Sequence, residues 1–155
     1  MGKSVLKLRP KIRTANSKGL TIAKLFALRR HNPDFINSAH IRIQRIYPVI
    51  KGGPALAFKT LTVDPKTTPP RRTHYQRIYP ADPDYEGTLL ACPRIKITCD
   101  CERWKFQWEY ACFKKGAADV IMGNGKPPTE MNLRGIPTGC KHLLKDMQYI
   151  IRNKL

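Results

Sequence analysis

The sequence predicts an α+β fold: a small antiparallel sheet, a C-terminal module organised by cysteines and closed by a helix, and an extended basic N-terminal arm with a short helix. Three observations carry this prediction. Four segments between residues 40 and 99 alternate apolar and polar side chains, the period of a half-buried strand. Apolar residues recur at three and four after His142, the period of a helix. Two close pairs of soft ligands, Cys99 with Cys101 and Cys140 with His142, frame the last third of the chain.

The 155 residues suffice for one modest domain. They divide into a basic arm with a short helix (1–35), a strand and proline-loop region (36–90) and a C-terminal module (91–155). The formal net charge is +18, which calls for an anionic or acidic partner. No segment approaches the roughly 20 apolar residues of a membrane span, so no membrane is expected as a partner; a small-molecule substrate is not expected either, because the ligand set of Cys99, Cys101, Cys140 and His142 leaves no position for one. Met1 to Arg13 alternates basic and aliphatic residues and lacks the apolar core of a signal peptide. A reducing cytoplasm is therefore the expected setting, and thiols there remain available to a metal.

Residues 1 to 33 contain no Asp or Glu. Lys3, Lys7, Arg9, Lys11 and Arg13 lie in a stretch that runs to about Lys18, is interrupted by Pro10 and has little periodicity. This stretch reads as an extended arm that orders only against a partner. Its aliphatic residues Val5, Leu6, Leu8 and Ile12 favour burial on a neighbouring protein over a purely solvated phosphate-binding tail. The run from Leu20 to Arg30 reads as a helix with Thr21 as N-cap, and Arg29 and Arg30 suit its C-terminal end. Asn32-Pro33 ends it.

His40–Tyr47, Ala55–Val63 and Thr73–Tyr79 are the first three strands. Lys51-Gly52-Gly53-Pro54 is turn chemistry between the first two. A basic proline loop holding Arg71 and Arg72 precedes the third. The string Gln-Arg-Ile-Tyr-Pro occurs at 44–48 and again at 76–80, two copies too short to define a repeat fold. Pro93–Cys99 is the fourth strand. Trp104 to Tyr110 also alternates, with four aromatics on one face, and reads as a strand whose rings either pack in the core or stack on bases, the core being favoured in so small a domain. Gly123-Asn124-Gly125-Lys126 is a turn; it lacks the spacing of a phosphate-binding loop.

Three thiolates and one imidazole, Cys99, Cys101, Cys140 and His142, are a complete tetrahedral set for one structural Zn2+, with no coordination position left for water or substrate. Gly139 suits a chain bending round an ion. Cys92 and Cys112 read as small core residues, Cys92 with a weak reserve claim as a ligand. A metalloenzyme would need an open position and a base, for which Asp100, Glu102 and Glu109 are the acids nearby in sequence.

A strand entering C-x-C, a long intervening segment and C-x-H at a helix start resembles the SWIM zinc-finger family over about residues 93–152. The 38 residues between the two pairs exceed the family's usual spacing. With its aromatic-rich stretch, Gly-Ala turn and proline loop, the order also looks like small tailed-bacteriophage proteins that carry such a finger. That resemblance implies a non-enzymatic virion structural protein, made in the host cytoplasm, whose partners are other virion proteins with acidic surfaces. The alternative is a sequence-independent DNA- or RNA-binding protein that uses the arm together with Arg71 and Arg72.

Overall fold

The computed structural model describes residues 9–14, 18–66 and 71–155. Four strands form one antiparallel sheet in sequence order: β1 (Ile41–Pro48), β2 (Leu56–Val63), β3 (Arg71–Pro80) and β4 (Ile95–Cys99). All three pairings are antiparallel, and β1 carries a bulge between Ile43 and Arg45. The four strands read from alternation are all present, with ends displaced by one or two residues.

Helix α1 (Ile22–Ala27) starts where Thr21 accepts a hydrogen bond from the Lys24 amide. It continues as a tight turn over Leu28–His31. Asn32-Pro33 ends that turn and at once starts another, Pro33–His40, because the Asn32 side chain accepts from the Asp34 amide and proline fits the first position. Residues 35–40 carry too weak a period for this 3₁₀ segment to be legible beforehand. The closing helix α3 (Lys141–Asn153) buries Leu143, Leu144, Met147 and Ile150.

One reading is corrected outright. Trp104–Tyr110 is not a strand but lies in a helical stretch: a π-turn at Trp104–Trp108 runs into α2 (Glu109–Lys114). Trp104 and Trp108, four apart, are buried on one helical face, while Phe106 between them is 60% exposed. The period of four outweighed the period of two because only the tryptophans have a core to enter. A second correction concerns the arm. Residues 11–14 bond within their own chain, where a partner was expected to order them: Ile12 bridges Val120, and the Thr14 amide donates to Asp119. Lys3 and Lys7, like Val5, Leu6 and Leu8, lie outside the described residues.

Helices α1 and α3 and the tryptophans pack on one face of the sheet. Ile22 and Leu25 of α1, Phe58, Ile78, Ile95 and Ile97 of the sheet, and the buried face of α3 make a single hydrophobic cluster, so all three sequence segments share one core. On the other face, Asp119 binds both Lys96 and the Tyr79 hydroxyl beside β4, and Ala57 of β2 is buried. No helix among the described residues is long and apolar enough to cross a membrane.

Candidate metal centre

Three pieces of chain meet at the centre. Cys99 ends β4. Cys101 stands just before the helical stretch that holds the tryptophans. Cys140 is the N-cap of α3, with His142 in that helix's first turn. The four ligand atoms lie within 4.8 Å of one another, and the four residues are between 0 and 4% exposed. His142 Nδ1 is 4.0 Å from Cys99 Sγ and 3.9 Å from Cys140 Sγ. A tetrahedral ion with bonds of about 2.0 to 2.3 Å sets its ligands roughly 3.6 Å apart, so the four atoms would have to draw together by up to about 1.2 Å to hold one ion. Cys92 and Cys112 stay outside it. Each is buried and donates its thiol to a carbonyl, of Arg94 and Thr138 respectively.

Neighbours aim the ligands. Thr62 Oγ1 lies 2.9 Å from His142 Nε2, which turns Nδ1 toward the sulfurs. The Trp104 amide donates to Cys101 Sγ at 3.4 Å, and Gln76 Nε2 donates to Cys99 Sγ at 3.7 Å. His74 packs on the His142 ring, centroids 4.5 Å apart, and bonds Asp100. Thr62, His74 and Gln76 were not legible as site residues in sequence; only their places on β2 and β3 bring them beneath the ligands. Gly139 is needed for space, not for an unusual backbone angle: a Cβ there would come within 2.9 Å of Leu143 Cβ. The adjoining Thr138 hydroxyl donates to the Leu25 carbonyl, and Asn32 donates to that of Gly139, so α1 fixes the approach to Cys140.

Charge at the centre is held unevenly. Hydrogen bonds from Cys140 and Cys99 hold the Cys101 thiol well below its ordinary range, whereas burial pushes the Cys99 and Cys140 thiols well above it. Without a cation the fold stabilises one thiolate. A divalent ion offsets the charge of three and displaces the remaining thiol protons.

Two of the nearby acids are held by other partners, and the third is exposed. Asp100 accepts from His74 and from the Tyr75 amide. Glu109 is buried and accepts from the amides of Ile121, Met122 and Gly123 and from the Trp104 ring. Glu102 is exposed.

The remaining predicted site residues are dispersed. Arg9, Lys11, Arg13, Arg30, Arg71 and Arg72 are exposed, while Arg29 lies over the Phe26 ring. Lys11 Nζ donates to the Gly123 carbonyl, and Arg72 lines the groove beside His142. No family model, no curated protein and no solved structure matches the chain.

Proposed function

We propose that the chain is a non-enzymatic, zinc-stabilised structural protein of a bacteriophage particle, binding neighbouring particle proteins with acidic surfaces through its basic arm and sheet edges. The observation that carries this reading is the burial of all four ligands, three sulfurs and one ring nitrogen that lie within 4.8 Å of one another. Three sulfurs and one ring nitrogen in tetrahedral array select Zn2+, and a closed shell supports architecture and not turnover. The particle assignment rests on the resemblance of the ligand order to SWIM-bearing phage proteins. The free edge of β1, paired only with β2 among the described residues, supports strand addition by a neighbour.

The test is metal content by mass spectrometry on chelator-free protein, together with recovery of the chain from purified particles washed in rising salt. One zinc per chain, absent from Cys140→Ser, and retention through about 1 M salt are the expected results. A strand-sharing contact survives such washing; a phosphate contact does not. Zinc-free wild-type protein would sink the structural-metal reading. Release by moderate salt would sink the strand-sharing contact, since pairing of the basic arm with an acidic surface is itself screened.

A further inference from the structure

Strands β1, β2 and β3 contain no Asp or Glu. Their side chains alternate between the core and the open face of the sheet, and register fixes which residues share that face. Arg45, Lys59 and Tyr75 stand in one row across the three strands; Tyr47, Ala57 and Arg77 stand in the next. Each row thus holds both cation and ring, and along β3 ring and cation alternate from Tyr75 through Arg77 to Tyr79.

The repeated Gln-Arg-Ile-Tyr-Pro string explains the pattern. Its isoleucine turns inward, and Ile78 is wholly buried. Its arginine and tyrosine, two apart, point outward together. In each copy the arginine lies over its tyrosine: Arg45 over Tyr47 at 5.7 Å and Arg77 over Tyr79 at 4.3 Å. Tyr79 is tied to Asp119 at the covered margin, which leaves Tyr47 and Tyr75 as the rings beside open surface.

Arg45 is directly opposite Lys59, and such partners hold their Cβ atoms about 5 Å apart. Like charges so placed destabilise a sheet unless an anion lies across them. Among the described residues no carboxylate forms an ion pair with Arg42, Arg45, Lys59, Arg71 or Arg77.

We infer that this open face binds single-stranded nucleic acid, with Arg42, Arg45 and Lys59 on phosphates and Tyr47 and Tyr75 under bases. An acidic protein would satisfy the cations but gives no role to rings interleaved between them. Base stacking uses both and is indifferent to sequence. This site is separate from the arm, shares strand β1 with the sheet edge proposed for protein contacts but uses its outward side chains, and does not depend on the particle assignment.

The experiment is fluorescence anisotropy with an oligodeoxythymidylate of about 20 nucleotides against zinc-loaded full-length protein over a salt series. Replacing Arg42, Arg45 and Lys59 together by Ser is expected to weaken binding roughly tenfold or more at low salt, and to lower the slope of log affinity against log salt by about 2. Tyr75→Leu is expected to weaken it roughly tenfold with the slope unchanged, and Tyr75→Phe to restore it. Removing the same charge elsewhere, at Lys115, Lys126 and Arg134, is expected to change affinity by less than about threefold. Zinc content and circular dichroism verify that each variant is folded. Three results would overturn the inference: no binding at low salt, equal loss from both charge triplets, or an unchanged affinity in Tyr75→Leu. Polyglutamate competing as well as the oligonucleotide would assign the face to an acidic protein instead.

Discussion

Thr62 Oγ1 and His142 Nε2, 2.9 Å apart, decide which ring nitrogen meets the sulfurs. With the metal on Nδ1, Nε2 carries the proton and donates to the hydroxyl. Thr62→Val keeps the shape and removes the acceptor. It is expected to weaken metal binding about 10- to 100-fold in a chelator competition, with circular dichroism unchanged at saturating metal. Asp146 poses the opposite problem. It sits one turn beyond His142, wholly buried, and among the described residues neither carboxyl oxygen has a hydrogen-bond partner. Burial raises its carboxyl well above the usual range. A raised acid favours the fold below its unfolded value, near 4, and that advantage is lost as pH climbs past it. Asp146→Asn is therefore expected to raise stability by about 1 to 3 kcal/mol at pH 7, in urea melts of metal-loaded protein. The gain should shrink toward pH 4, and a gain independent of pH would refute the assignment of the cost to ionisation.

The helical stretch that holds the tryptophans is set by Glu109. Its carboxylate collects three successive amides of 121–123 and the Trp104 ring N–H, and Gly123 must lack a Cβ because one would lie 2.8 Å from Glu109 Oε1. Glu109→Gln puts an NH2 among these donors. It is expected to cost about 2 to 4 kcal/mol in metal-loaded unfolding experiments, whereas the equally drastic Glu102→Gln on the exposed side should cost under about 0.5 kcal/mol. The same element shows where the sequence was opaque. Strands β1 to β4 and helix α3 were legible because one face of each meets a core and the other does not, so the period is written into the residues. Trp104–Tyr110 satisfied both periods, and what settles the matter lies elsewhere in the chain: the core that takes the two tryptophans and the partners of Glu109, 12 to 14 residues away. The four ligands were legible from residue type and spacing. Thr62 and Gln76 were not, since each is an ordinary inward strand position until β2 and β3 pair.

At the scale of the molecule, the centre ties β4, the tryptophan helix and α3 together across a 38-residue gap. Those pieces share one apolar cluster with α1 and the sheet, so the metal's contribution is not confined to the C-terminal third. Apparent binding energies of structural zinc sites, about 10 to 16 kcal/mol, match or exceed the net stability of an ordinary domain, about 5 to 15 kcal/mol. Removing the ion leaves three sulfurs of which the fold favours ionisation of one, and it frees the first turn of α3 from β4. Chelation at pH 7 is therefore expected to lower Tm by at least about 15 °C. In hydrogen exchange, 95–153 should lose protection first, and β1 to β3 should follow because α3 is their cover. Acidification should act through the same protons: metal affinity falls as pH drops, since thiols that burial holds protonated must release their protons to bind. Equal protection with and without chelator would show that the apolar core holds the fold unaided, and the centre would then need a role other than architecture.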